Sequence, residues 1–152
     1  MKGTILSTCP DAQYEGKVYT YVGTFLRSNG QVFNLFDPTC QLASIQPGNQ
    51  ILAYLYVISY CIVDSSDEQT IQGIIRTKKP ERSNSFYQAE WFENKSCGIE
   101  TPDGFLFLDL QTTEGKIKRD QLTDGANVYV QIEYDVYLKD FKLLNELNPP
   151  KI

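Results

Sequence analysis

The sequence predicts an all-β protein. Apolar residues at every second position of 128–138, beginning with Val128, Val130 and Ile132, alternate with polar or aromatic ones. This period of two is that of a half-buried strand. Clusters rich in Gly, Asn and Pro, such as Ser28-Asn29-Gly30 and Gln46-Pro47-Gly48-Asn49, separate runs of this kind. Such residues favour tight turns. A sequence repeat within the chain also supports the all-β prediction.

Strands are predicted from the N-terminus onward wherever apolar and polar residues alternate between turns. In residues 17–25, Tyr19, Tyr21 and Phe25 share one face. A single short helix is predicted over residues 139–147, because Asn148-Pro149-Pro150 ends the apolar pattern there. The main predicted strands are residues 17–25, 32–36, 50–63 and 128–138.

Short segments of the first half recur in the second half. The offset grows from 70 to 74 to 77 residues, as expected if the second copy carries loop insertions. We therefore predict two domains, residues 1–66 and 70–152, separated by the polar run 64–69. The aligned pairs are Gly3-Thr4-Ile5 with Gly73-Ile74-Ile75, Gly30-Gln31-Val32-Phe33 with Gly104-Phe105-Leu106-Phe107, and Pro47-Gly48-Asn49 with Asp124-Gly125-Ala126.

Three motifs of the first copy carry a family resemblance. They are Lys2-Gly3-Thr4-Ile5, Lys17-Val18-Tyr19-Thr20-Tyr21-Val22 and Val32-Phe33-Asn34-Leu35. In this order and spacing they resemble the motifs of cold-shock domains, which are small barrels of the OB type. Two glycines of the family's second motif are replaced here by Val18 and Thr20, and the histidine of its third motif is replaced by Leu35. The resemblance implies two tandem OB-like barrels. One eight-stranded barrel or sandwich built from both repeats is the alternative.

The resemblance also implies an aromatic face on the first copy that binds single-stranded DNA or RNA. Tyr19, Tyr21 and Phe33 would stack on bases, and Lys17 would lie near a phosphate. Stacking on an aromatic ring contributes about 1–3 kcal/mol per base. The alternative is that these rings fill the barrel core, and their exposure to solvent distinguishes the two.

In the second copy, the candidate contacts to nucleic acid or to a partner are Phe107, Lys78, Lys79 and Arg82. A solvated loop is the simpler interpretation of this basic cluster. Another aromatic series, Tyr54, Tyr56 and Tyr60, belongs to a run that is apolar on both faces. A strand of that kind is typically covered on both sides, so we expect these three rings to be buried.

The amino-acid composition excludes several further classes of function. The chain has 152 residues, with 14 basic and 19 acidic side chains and a net charge of −5, which disfavours nonspecific DNA binding. It contains no histidine, which excludes Ser-His-Asp and Cys-His pairs and histidine-ligated metals. Cys97 is the one thiol in a polar, loop-like setting. We predict a protein that is not an enzyme and needs no metal or cofactor.

No apolar signal segment opens the chain, and tyrosines and Ser59 interrupt its longest apolar run. We therefore predict a soluble, cytoplasmic protein without membrane association. The leading hypothesis is a binding module for single-stranded nucleic acid. The alternative is a protein-interaction or structural subunit, whose partner is another protein or further copies of itself.

Overall fold

The computed structural model describes residues 1–67, 69–77, 96–110 and 123–144. Strands make up most of these ranges, which confirms the predicted all-β class. A short 3₁₀ turn lies at Gln41–Ser44. In chain order the strands are β1 Lys2–Pro10, β2 Gln13–Tyr14, β3 Lys17–Val18, β4 Tyr21–Arg27, β5 Val32–Asp37, β6 Gln50–Val57, β7 Tyr60–Val63, β8 Thr70–Arg76, β9 Ser96–Thr101, β10 Gly104–Asp109, β11 Asn127–Ile132 and β12 Val136–Leu143.

The chain divides into two compact units. Unit one consists of Met1–Leu55 together with the C-terminal segment from Asp135, and unit two is Tyr56–Tyr134. Along the chain, unit two therefore falls between β6 and β12. This differs from the sequence-based division into 1–66 and 70–152, because residues 56–66 group with unit two and β12 with unit one.

Unit one contains a closed five-stranded barrel. Its strands follow the order β1-β4-β5-β12-β6, and β6 pairs back with β1. The β1–β4–β5 part is an antiparallel meander. By contrast, β12 runs parallel to β5, with Val136 opposite Leu35. Closure leaves no free edge in this set of strands.

Alternate residues of each strand fill the barrel interior. Phe25 and Phe33 are paired across β4 and β5, and their ring centroids lie 6.3 Å apart. Gly3 on β1 sits directly against Phe25, in a space too small for a Cβ atom. Burial of such apolar side chains is the main stabilising contribution to a fold of this kind. The buried apolar residues of this barrel include Ile5, Phe25, Phe33, Leu35, Ile51, Ala53, Leu55, Val136 and Leu138.

Unit two contains its own antiparallel strands in the order β10-β9-β8-β11-β7. Its buried residues include Ile71, Ile75, Ile99, Leu106 and Val130. These occupy alternate positions on successive strands, so the unit has an apolar core of its own.

The predicted helix over 139–147 is wrong for its first five residues. Residues 139–143 belong to β12, where half-buried Phe141 and Leu143 alternate with exposed Lys142. Strand pairing within the barrel therefore overrides the helical propensity of this Lys- and Leu-rich segment. Residues 145–147 lie outside the described residues.

Two predicted strands are each interrupted. The alternation over 128–138 is split into β11 and β12 at residues 133–135, where Tyr134 is 76% exposed. The two halves pair with strands of different units, β11 with β7 and β8 and β12 with β5. Likewise the run 50–63 breaks between β6 and β7 at residues 58–59. Hydrophobic alternation gives the strand character but not the point at which the chain changes partners.

Candidate functional site

A hairpin projects from the connection between β1 and β4. Its strands β2 and β3 pair with Tyr14 opposite Lys17, around a turn formed by Glu15 and Gly16. Both turn residues have positive φ angles, 50° and 78°. This matches the primed two-residue turns that suit the twist of a hairpin. The predicted continuous strand over 17–25 is thus divided, with its first two residues in the hairpin.

Hydrogen bonds at the base of the hairpin continue the ladder toward the barrel. The Tyr19 N–H donates to the Ala12 carbonyl at 2.8 Å, and the Asp11 N–H donates to the Thr20 carbonyl at 2.9 Å. The Thr20 hydroxyl also donates to Asp11 Oδ2 at 3.2 Å. These bonds give the hairpin a defined register over residues 11–20.

That register places three candidate side chains together. Tyr14 and Lys17 are directly paired, and Tyr19 lies two residues from Lys17, so all three point to the same side of the ribbon. Tyr14 is 66% exposed and Tyr19 46% exposed. The Lys17 Nζ lies 5.1 Å from the centroid of the Tyr19 ring, within cation–π distance. We call this set, Tyr14, Lys17 and Tyr19, the hairpin face.

Sequence reasoning placed Tyr21 and Phe33 with Lys17 and Tyr19, and the structure separates them. Phe33 is buried with 5% of its surface exposed, so its ring cannot receive a base. Tyr21 is half-buried and lies opposite Asp37, on the face of β4 that also carries buried Phe25. Tyr21 and Phe33 therefore belong to the barrel-interior side of their strands, because residues two or four positions apart share a face.

The opposite, outward side of β1, β4 and β5 forms a second surface. Thr24 occupies its centre, with its hydroxyl 2.7 Å from the Ser7 hydroxyl and with Asn34 opposite on β5. In the neighbouring row Val22 lies opposite half-buried Phe36. We call these five residues the outer face. Hydroxyl and amide groups beside an aromatic ring can bind a planar polar ligand by hydrogen bonds and stacking.

The second-repeat candidates do not form a surface in the described residues. Phe107 is fully buried and its ring lies 6.1 Å from that of Phe105, so it is a core residue rather than a partner contact. Lys78, Lys79 and Arg82 lie outside the described residues.

Cys97 lies on β9 and is buried rather than in a loop. Burial raises the pKa of its thiol to about 12. Because the thiolate is the reactive form, this thiol is unreactive near neutral pH.

The three tyrosines of the apolar run are buried, as expected. Tyr54, Tyr56 and Tyr60 have 6%, 9% and 1% of their surfaces exposed. In unit two the Tyr56 hydroxyl donates to Asp109 Oδ1 at 2.5 Å, and the Tyr60 hydroxyl donates to the Asp109 carbonyl at 2.7 Å. Burial, and secondarily the Asp109 carboxylate, raises the pKa of Tyr56 far above its usual value. The Tyr56 hydroxyl therefore stays protonated, and all three tyrosines belong to the buried part of the protein.

Across the described ranges, no group of three or more Cys, Asp or Glu side chains is arranged to hold a metal ion. None of the helical residues placed by the structure forms a helix long and apolar enough to cross a membrane. A scan against protein-family models gave no match, and a search of curated protein sequences gave none either.

Proposed function

We propose that this chain is a non-enzymatic binding module that contacts single-stranded nucleic acid through the hairpin face. The observation that carries the proposal is the placement of two exposed tyrosines and one lysine on a single side of the hairpin. Stacking contributes about 1–3 kcal/mol per base. Two stacked bases would thus supply about 2–6 kcal/mol, and about 4 kcal/mol corresponds to a Kd near 1 mM. Contacts to phosphate groups add to this binding free energy.

The topology of unit one supports the proposal. In the barrel, β1, β4 and β5 are antiparallel and β6 closes on β1. The last strand, β12, runs parallel to β5, the third strand of the barrel. We assign this arrangement to the OB type, whose second and third strands and first connecting loop are the usual site for oligonucleotides. The hairpin face lies in that connecting loop, and all residues of the outer face except Ser7 lie on those two strands. The cold-shock resemblance then concerns the barrel, while only Tyr19 of the stacking residues that its motifs imply belongs to the hairpin face.

The same proposal includes the internal repeat: unit two is a second, diverged copy of unit one. Ile5 accepts a hydrogen bond from the Gly48 N–H at 2.7 Å, and Ile75 accepts one from the Gly125 N–H at 2.8 Å. Each isoleucine N–H in turn donates to the residue after that glycine. These pairs are the ones that the sequence aligns, which supports a common ancestry of the two units.

The charge balance shapes the expected binding. With a net charge of −5, the protein repels nucleic acid at long range, and Lys17 is the single basic residue of the hairpin face. Stacking rather than phosphate neutralisation then supplies most of the affinity. We expect a shallow salt dependence, with a slope of about −0.7 for each phosphate that is neutralised.

The proposal is tested by fluorescence anisotropy with labelled dT12 and U12. The double variant Tyr14→Ala/Tyr19→Ala should weaken binding at least tenfold, since it removes both stacking rings. Tyr134→Ala is the matched control, because Tyr134 is exposed but belongs to unit two. Absence of binding by the unaltered protein at millimolar protein concentrations, or equal losses in both variants, would overturn the proposal.

A second candidate function is protein interaction, favoured by exposed aliphatic side chains of unit one. Leu6 is 43% exposed and Val32 is 50% exposed. Apolar patches of this kind mark protein contacts when they are contiguous. Sedimentation analysis over a hundredfold concentration range tests the self-association version of this function. Association that the double variant Leu6→Ser/Val32→Ser abolishes would support it, and a constant monomer mass would refute it.

A further inference from the structure

We infer that a cleft at the far end of the β1–β4 ladder binds a backbone phosphate of the same strand that stacks on the hairpin face. The inference rests on the function proposed above and extends it to a second contact. The cleft has a volume of about 380 Å³ and lies within unit one. Its lining includes two basic residues, Lys2 and Arg27, and the polar residues Thr4, Ser28 and Gln50.

The charge of this cleft is opposite to that of the chain. None of the described lining residues is Asp or Glu, although acidic residues outnumber basic ones by 19 to 14 in the sequence. The cleft therefore combines positive charge with polar hydrogen-bonding groups in an otherwise acidic protein. A phosphate group needs this combination, because its oxygens accept charge-assisted hydrogen bonds.

The two basic residues differ in rigidity. Arg27 is buried, and its Nη1 donates to Gln31 Oε1 at 2.7 Å while its guanidinium lies 5.9 Å from the Phe33 ring centroid. With 5% of the residue exposed, its guanidinium is fixed in place and contributes positive potential beside the cleft, so Lys2 is the basic side chain that would contact the phosphate. Lys2 is exposed and can move to meet a ligand. The Lys2 ammonium is a point charge on a flexible stem, which can follow a phosphate group without a fixed hydrogen-bond geometry.

The position of the cleft fits a strand that also reaches the hairpin. At one end of the ladder Tyr21 pairs with Pro10, beside the hairpin, and at the other end Arg27 pairs with Gly3. Six residue steps of about 3.3 Å make this ladder about 20 Å long. At about 3.4 Å per stacked nucleotide this is about six nucleotides, within the range of about 4–16 for one OB barrel. Leu26, in the row beside Thr24, also lines the cleft, so the outward side of β4 leads into it.

The test compares Lys2→Gln with Lys139→Gln on two oligonucleotides, dT3 and dT12. Both variants remove one exposed positive charge from unit one, but Lys139 does not line the cleft. Anisotropy competition gives the affinities at several salt concentrations. Amide shifts of Gly3 and Gly30, which line the cleft, report its occupancy by dT12.

We expect Lys2→Gln to weaken dT12 binding about threefold to tenfold and to reduce the salt slope by about 0.7. Its affinity for dT3, which is too short to span the ladder, should be unchanged, and Lys139→Gln should match the unaltered protein on both. Equal effects of the two variants, or no effect of Lys2→Gln on dT12, would overturn the cleft inference while leaving the hairpin proposal in place. Absence of binding to either oligonucleotide would overturn both.

Discussion

Replacing Tyr56 by Phe removes one hydroxyl from a buried hydrogen bond and keeps the aromatic ring. That hydroxyl donates to Asp109 Oδ1 at 2.5 Å, and both residues are buried. A hydrogen bond to a charged group contributes about 1.5–3 kcal/mol, and loss of the donor leaves a carboxylate oxygen desolvated without that partner. We therefore expect Tyr56→Phe to lower the free energy of unfolding by about 2–3 kcal/mol.

Tyr60→Phe is the matched control for this prediction. It removes the same group from a neutral acceptor, the Asp109 carbonyl oxygen at 2.7 Å, where about 0.5–1.5 kcal/mol is expected. Urea unfolding followed by circular dichroism measures both, and the slope with urea should stay constant between variants. If the two variants lost equal stability, or Tyr56→Phe lost none, the special role of the Tyr56–Asp109 bond would be refuted.

Two further predictions concern the cores. Because burial raises the pKa of Cys97 to about 12 from 9, its contribution to stability is complete below pH 9 and declines as pH rises toward 12, by up to about 1.4 kcal/mol per pH unit. Cys97→Ala should therefore flatten the decline of the urea midpoint between pH 9 and 11, and an unchanged decline would contradict this. Gly3→Ala would push a Cβ atom into Phe25 and to 2.6 Å from the Leu26 carbonyl oxygen, so we expect a loss of about 1–3 kcal/mol. Thermal unfolding of Gly3→Ala measures this loss, and Thr4→Ala is the control, expected to change stability by less than about 0.5 kcal/mol. Equal melting temperatures of the two variants would contradict the prediction.

Local signals in the sequence predicted the strands well. The turns at Gly30 and Gly48 are present, and both glycines have positive φ angles of 90° and 95°. Alternation also placed Tyr21 and Phe25 on one face of β4, the face on which Phe25 is buried. These features depend on neighbours in the chain, so a single sequence is sufficient to predict them.

Long-range pairing was not predictable in the same way. One partner of β12 is β5, about a hundred residues earlier in the chain, and the pairing leaves no pattern in either segment. Local propensity therefore favoured a helix over 139–147, and hydrophobic alternation joined β11 to β12. In both segments tertiary contacts, rather than local propensity, determine the secondary structure.

The candidate site was predicted in part. The structure brings Lys17 and Tyr19 close together, whereas Tyr14 was not among the predicted site residues, since Glu15 is an unusual residue at a positive φ angle of 50°. The signal that could have revealed the hairpin is Gly16 between two short polar–aromatic runs. Phe33 was assigned to the surface by motif resemblance, and the register of β4 with β5 places it in the core.

The most direct measurement of the central claim is a titration of isotope-labelled protein with dT12, followed through the backbone amide signals. If the hairpin face stacks bases, the amides of residues 11–20 should shift in a saturable manner, and the aromatic signals of Tyr14 and Tyr19 should shift with them. The buried Phe33 and Phe107 rings should shift little. Shifts confined to unit two, or the absence of shifts at millimolar oligonucleotide, would contradict the assignment of single-stranded nucleic acid to this hairpin.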